Sequence, residues 1–122
     1  MTFREILAKV VEGTPGARAA VIMGSDGIPV EEYPAEEEAL NLPAVAVEFQ
    51  RVLEESRKVA SLLGPEVGGA LEEMVLQTST RQLLFRPIDA EYHLVVELDR
   101  SGFLGKARWL VGSLLHEIRG GL

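Results

Sequence analysis

The sequence predicts an α+β fold, a five-stranded antiparallel sheet with helices on both faces, and three observations support this. Apolar residues recur at helical spacing in three segments, near residues 3–13, 41–63 and 101–121. Two short apolar runs flank a Gly-Ser-Asp-Gly turn at residues 24–27, and three more runs follow between residues 70 and 98. The order helix, strand, strand, helix, three strands, helix indicates an antiparallel sheet covered by helices.

The first helix has recognisable start and stop signals. Thr2 and Glu5 have the spacing of a capping box, and Gly13 and Pro15 end the helix. Between them, one helical face carries Phe3, Ile6, Leu7, Val10 and Val11.

A hairpin follows the first helix. Its strands are predicted at Ala17–Met23 and Ile28–Tyr33, joined by a turn that contains Asp26-Gly27. Glycine favours such a tight turn because it accepts a positive φ without a Cβ clash. The next segment, EEYPAEEE at Glu31–Glu38, is expected to form a solvated acidic loop.

The middle helix carries more apolar surface than one core contact requires. Asn41 can cap it, Pro43 fits its first turn, and Gly64-Pro65 ends it. Its predicted core stripe is Val45, Phe49, Val52, Val59 and Leu63, and further apolar residues widen the sector: Ala44, Ala46, Val47 and Leu53. A helix that is apolar on two sides is often covered on both, so we expect a partner on its second side.

Three strands and a helix complete the chain. The strands are predicted at Leu71–Thr78, Gln82–Ile88 and Tyr92–Leu98, separated by turn-forming residues. Ser101 is predicted to cap the last helix, which Gly120-Gly121 ends. Gly105 is expected to permit close packing in its first turn, while Leu104, Ala107 and Leu110 face the sheet.

Length and composition exclude several function classes. The 122 residues fit a single domain spanning residues 1–122. The chain has no cysteine, which excludes disulfides and thiolate zinc sites, and we expect a cytoplasmic protein. The net charge of −7 argues against binding to nucleic acid or to an anionic membrane. No apolar run approaches the roughly 20 residues that span a bilayer.

No catalytic, metal or cofactor site emerges from the motifs. The GxxGK within Arg100–Trp109 resembles a phosphate-binding loop, but Arg100 stands where the motif needs glycine and Ala107 where it needs Ser or Thr. The two histidines, His93 and His116, lack a nucleophile at recognisable spacing, so structural roles are favoured for both. Arg81 and Arg100 lie in predicted turns, from which an arginine could project into the site of a GTPase partner. For each of them, pairing with local carboxylates or ordinary surface exposure is favoured.

Four segments resemble the roadblock / dynein light chain family, including its bacterial MglB-like members. They are the hairpin ARAAVIMGSDGIPVEEY, the helix FQRVLEESRKVASLL, the meander EEMVLQTSTRQLLFRPIDAEYHLVVELD and the passage SGFLGKARWLVGSLLHEI. The resemblance implies that the long middle helix covers one face of the sheet and the terminal helices the other. It also implies a homodimer, or a heterodimer with a paralogue. The sheets would join through the first meander strand and the middle helices would lie side by side. On this basis the expected interface residues are Ala44, Val47, Gln50, Met74 and Leu76.

The resemblance also implies a function. Members bind Ras-like small GTPases as regulators or scaffolds, or act as light chains, and carry no catalytic residues or cofactor of their own. The first hypothesis is therefore a GTPase-binding adaptor whose paired middle helices present Arg51, Glu54, Arg57 and Lys58. The alternative is a dimeric scaffold or light chain that recruits a client other than a GTPase. An enzyme using His93 with nearby carboxylates is the least favoured reading, because no converging groups are visible.

Overall fold

The fold is a five-stranded sheet with three helices. The computed structural model describes residues 1–34, 41–64, 66 and 68–122. In chain order the elements are α1 (Phe3–Gly13), β1 (Ala17–Gly24), β2 (Pro29–Tyr33), α2 (Leu42–Ser61), β3 (Met74–Gln77), β4 (Arg81–Pro87), β5 (Tyr92–Asp99) and α3 (Leu104–Gly121). All strand pairs are antiparallel, and the sheet order is β2-β1-β5-β4-β3. The predicted element order and fold class are confirmed.

The two faces of the sheet bury separate cores, because successive strand residues point to opposite faces. On one face, α1 and α3 pack over the sheet with residues such as Ile6, Ile22, Leu94 and Leu114. On the other face, α2 alone covers a smaller core that includes Val21, Phe49, Leu53, Phe85 and Val95. The middle helix and the terminal helices therefore lie on opposite faces, as the family resemblance implied.

Local signals at the start of the chain are confirmed. The Thr2 hydroxyl accepts from the Glu5 amide at 3.1 Å and the Glu5 carboxylate accepts from the Thr2 amide at 2.8 Å, which completes the capping box. Gly27 has a φ of 87°, so the β1–β2 turn uses the glycine freedom that the sequence indicated. In the predicted acidic loop, Glu31 and Glu32 belong to β2, and residues 35–40 lie outside the described residues.

The core-facing side of α2 agrees with the predicted stripe only at Phe49 and, in part, at Val45. Ala46, Phe49 and Leu53 are buried, at spacings of three and four residues, whereas Val52, Val59 and Leu63 are exposed. Both rows have helical spacing, so periodicity alone could not decide between them. Phe49 fixes the choice, since its ring stacks on Phe85 of β4.

The third strand is shorter than predicted, covering Met74–Gln77 instead of Leu71–Thr78. Pairing with β4 stops at Met74, which lies opposite Phe85. The Arg81 carbonyl points toward β3 and accepts a hydrogen bond from the Thr78 amide. Along a strand, the backbone N–H and C=O groups of every second residue point to the same neighbouring strand. The backbone groups of Pro87, six residues after Arg81, therefore also point toward β3. Because proline has no N–H, the next position of the ladder lacks one of its two hydrogen bonds, which weakens pairing there. The other strands agree with the prediction to within one residue.

The passage into α3 also corrects the prediction. Phe103, not Ser101, is the N-cap residue of α3, and no side chain caps this helix. Gly105 is open to solvent, since an added Cβ would meet nothing within 4 Å, so the close packing expected there is wrong. The close approach occurs at Gly102, where a Cβ would lie 2.9 Å from the Leu98 Cβ.

Candidate functional site

The GxxGK segment is built into the fold as a strand-to-helix passage. The Gly102 amide donates to the Asp99 carbonyl and the Phe103 amide to the Pro15 carbonyl, so neither amide is available to a phosphate. The side-chain amide of Gln82, itself buried, donates to the carbonyls of Asp99, Arg100 and Gly102 at 3.0–3.2 Å. Lys106 lies over the Trp109 ring at 5.3 Å.

The histidines occupy unrelated positions. His93 is buried on the α2 face of the sheet, and its Nε2 has no hydrogen-bond partner among the described residues. Burial lowers the pKa of His93; the Ala46 backbone opposes this shift and the Arg57 charge adds to it. His116 is exposed on α3. His93 therefore lies in the buried layer beneath α2.

The arginine considered as a projecting group is engaged with carboxylates. The Arg81 Nε lies 3.1 Å from a Glu97 oxygen, and Glu97 is buried. Arg18 lies 3.9 Å from the same Glu97 oxygen and 3.3 Å from Asp99. Arg81 therefore holds a buried carboxylate on the sheet, whereas Arg100 is exposed and has no ion pair within the described ranges.

Two further site classes find no support in the described part of the chain. None of its groups of histidine, aspartate and glutamate is arranged to hold a metal ion. Within the same residues, no helix has the length and apolarity needed to cross a bilayer.

The residues expected to bind partners lie on the outward half of α2. Ala44, Arg51 and Glu54 are exposed, and Val47 is 41% exposed with its Cγ2 near the Gly27 turn. Gln50 is half-buried and donates to the Glu54 carboxylate at 3.4 Å.

Lys58 and Arg57, which were also expected to bind the partner, lie in different surroundings. Lys58 is exposed and pairs with Glu55 at 3.1 Å. Arg57 is half-buried and lines a cleft beside the β4–β5 turn. The outward platform therefore consists of Arg51, Glu54 and Lys58, and Arg57 stands at its margin.

Part of an apolar flank of α2, which the sequence assigned to the core, is exposed, although its first residue, Val45, packs partly against the α2-side core. Val52 is 42% exposed and Val59 65%, and with half-buried Val45 they form a row at seven-residue spacing. Residues seven apart lie on the same side of a helix. Leu62 and Leu63 continue this apolar surface beyond the end of α2. The sequence shows the seven-residue spacing of these valines, but it does not show which of their side chains are exposed.

The edge strand β3 carries the remaining two expected interface residues. Met74 packs partly against the α2-side core, and Leu76 is exposed. In the part of the chain that the structure describes, β3 pairs only with β4, so its outer edge presents unpaired backbone groups. An unprotected apolar edge strand is a template for pairing with another chain. The expected interface residues thus fall on two surfaces, α2 and the β3 edge.

Comparison with known proteins identifies the fold. No protein-family model matches the chain, and no curated protein sequence matches it. Among solved structures, a Roadblock/LC7 domain from Streptomyces avermitilis superposes with a TM-score of 0.82 at 15% identity, over 98% of this chain and 97% of that one. MglC from Myxococcus xanthus is 29% identical over all of both chains, with a TM-score of 0.66. An MglB with a tetrameric arrangement is 22% identical, with a TM-score of 0.78 over 91% of this chain and 80% of that one.

Proposed function

We propose that the chain, which is similar in fold to Roadblock/LC7, MglB and MglC proteins, is a roadblock-family protein of the MglB-like type. In this proposal it is a non-catalytic homodimeric adaptor that binds a Ras-like small GTPase. Its similarity to roadblock, MglB and MglC proteins supports a small adaptor or regulator. The observation that carries the proposal is the outward surface of α2, where an exposed valine row flanks a charged strip.

Dimerisation would use the two apolar surfaces that the single chain leaves exposed. The outer edge of β3, with Met74 and Leu76, would join the two sheets. The α2 helices would lie side by side through the valine row. Ala44 and Val47, which the resemblance implies at the interface, share a side of the helix with Arg51 and Glu54, seven residues further on. Burying apolar surface contributes roughly 25 cal/mol per Å², so covering these side chains favours association. The similar MglB with a tetrameric arrangement shows that this fold assembles from several chains.

The GTPase would contact the charged strip that remains outward after dimerisation. Arg51, Glu54 and Lys58 present both signs of charge on adjacent helical turns, with Arg57 at the margin. A mixed-charge surface gives orientation and specificity to a protein contact more than raw affinity. The partner would supply the nucleotide, since the GxxGK amides of this chain are engaged within its own fold.

The direct test measures binding of the purified chain to a Ras-like GTPase from the same cell, by titration calorimetry in the GDP and GTP-analogue states. We expect binding that depends on the nucleotide and weakens in an Arg51→Glu, Glu54→Lys double variant. A folded dimer that binds the GTPase in neither state contradicts the proposal.

A dimeric scaffold for another client is the second candidate. Phe103 and Trp109, 61% and 65% exposed, lie at the start of α3, on the sheet face opposite α2. Two exposed aromatic side chains are typical of a protein-binding surface. Affinity isolation that returns the same assembly with either nucleotide, and loses it in Trp109→Ala, would favour the scaffold.

A further inference from the structure

A cleft of about 570 Å³ opens beside the β4–β5 turn, where β4 continues past the end of β3. Its walls come from α2, the segment before β3, the end of β4 and α3, so both helical layers contribute. The shortening of β3 at Pro87 creates the opening, because a strand extending back to Leu71 would cover it. Leu71, Ile88 and Pro87 supply apolar lining. The cleft is large enough to take several residues of a peptide.

Three arginines line this cleft: Arg57 from α2, Arg86 from β4 and Arg119 from α3. Within the described residues none of the three forms an ion pair, whereas Arg18, Arg81 and Arg108 each pair with a carboxylate. The Arg86 Nε is buried and has no hydrogen-bond partner there. The Arg119 Nε donates to the Ile88 carbonyl at 3.0 Å, which leaves the rest of its guanidinium unbonded in the same residues.

Two carboxylates share the lining, and among the described residues neither forms an ion pair with the three arginines. The Asp89 Oδ1 accepts hydrogen bonds from the amides of Glu91 and Tyr92, at 2.8 and 2.9 Å, and these bonds stabilise the β4–β5 turn. Glu72 is exposed on the segment before β3. Since a buried guanidinium nitrogen without an acceptor is costly, the cleft is poised to take an anionic group.

We infer that this cleft binds an acidic peptide segment of a partner protein, with carboxylates on Arg57, Arg86 and Arg119 and apolar side chains on the lining. Guanidinium groups match carboxylates in two-point hydrogen bonds, and the apolar lining suits a peptide rather than a free anion. The chain carries a net charge of −7, so an acidic segment would be repelled elsewhere and directed to this cleft.

Most of this site lies apart from the proposed GTPase surface. Arg119 belongs to α3, on the sheet face opposite α2, and Arg86 shares that face because it lies opposite Leu94 of the α1–α3 core. A variant of Arg119 therefore tests the cleft without changing the outward strip of α2. Arg57 is the one residue that both surfaces share.

The experiment measures fluorescence anisotropy with a short fluorescein-labelled peptide of alternating glutamate and leucine. The matched probe has glutamine in place of every glutamate. We expect the glutamate peptide to bind at least tenfold more tightly than the glutamine peptide, and added NaCl to weaken it. Arg119→Gln should weaken binding by about tenfold, and Arg57→Gln by a similar factor, since each removes a charge-assisted hydrogen bond.

Arg100→Gln is the matched control, because Arg100 is exposed and lies outside the cleft. It should change affinity by less than twofold. An unaltered urea midpoint for Arg119→Gln confirms that the variant is folded. Three results would overturn the inference: no binding of the glutamate peptide at millimolar concentration, equal binding of the two peptides, or an Arg119→Gln affinity equal to that of Arg100→Gln.

Discussion

The ring of Phe49 on α2 lies parallel to the ring of Phe85 on β4, with 3.4 Å between the centroids and 7° between the planes. This contact sets the rotation of α2 about its axis, because Ala46 and Leu53 then face the same core. The opposite side of the helix, with Arg51 and Glu54, is turned outward. The proposed interaction surface therefore depends on an aromatic pair beneath it.

Removing one ring of this pair should destabilise the fold. We expect Phe49→Ala to lower the free energy of unfolding by about 3 kcal/mol, from lost apolar burial and the cavity left behind. Urea denaturation at one fixed protein concentration measures it. Arg51→Ala, on the outward side, should stay within about 0.5 kcal/mol of the native chain. A loss below about 1 kcal/mol for Phe49→Ala would show that the stack does not hold α2.

Two glycine substitutions should have opposite signs. Gly16 has a φ of 85°, and an added Cβ would lie 2.5 Å from the Gly102 Cα, so Gly16→Ala should cost roughly 2 kcal/mol or more. Gly112 lies within α3 with nothing near an added Cβ, so Gly112→Ala should stabilise by about 0.5–1 kcal/mol. Thermal unfolding of both variants gives the comparison. Equal effects would contradict the close approach of the two backbones.

Gln82 should matter more than its polar side chain suggests. Gln82→Leu removes the donor shared by the carbonyls of Asp99, Arg100 and Gly102, and we expect a loss of about 2 kcal/mol in unfolding free energy. Gln77→Ala removes only a bond from an exposed residue to Gln82 and should cost less than half as much. Chemical denaturation measures the unfolding free energy of the two variants. Similar losses would show that the bonds from Gln82 to the segment before α3 contribute no more to stability than the bond from Gln77.

His93 should make stability depend on pH. Burial lowers its pKa below the ordinary 6.5, so the unfolded chain binds the proton more readily than the folded one. Its contribution is therefore fully present above pH 6.5 and is lost as pH falls toward the lower, folded pKa. We expect the native chain to lose more stability between pH 7 and pH 5 than His93→Gln does. His116→Gln, changed at an exposed position, should follow the native profile, and coincident profiles for all three proteins would contradict the prediction.

The exposed valine row should contribute to self-association. Val59→Glu is expected to raise the dimer dissociation constant tenfold or more, because association would desolvate an unpaired carboxylate. Val30→Glu is the control, since Val30 is 40% exposed on β2, at the sheet edge opposite β3. Sedimentation velocity measures the constants, and unchanged dissociation in Val59→Glu would exclude the valine row from the interface.

Local chemistry made most of the fold predictable. The capping box at Thr2, the Asp26-Gly27 turn and the strand periodicity each depend on near neighbours, and the structure confirms them. The errors arose where distant residues decide. Pro87 shortens β3, and the Gln82 side chain ties down the passage in which Ser101 was expected to cap α3.

The site was predictable only in part. The sequence indicated an apolar surplus on α2, and the structure shows exposed apolar surface there. Of the predicted core stripe, Phe49 is buried and Val45 packs partly against the α2-side core, whereas Val52, Val59 and Leu63 are exposed, because a row at residues 46, 49 and 53 follows helical spacing equally well. The arginine cleft had no sequence signal, since Arg57, Arg86 and Arg119 come from three elements brought together only by the fold.

Light scattering on the native chain at micromolar concentration distinguishes a dimer from a monomer. We expect a mass twice that of the 13.3 kDa chain. That mass should be retained in Val30→Glu and reduced in Val59→Glu. A native chain that scatters as a folded 13.3 kDa monomer would contradict it, because the paired α2 surface proposed to bind the GTPase would not exist.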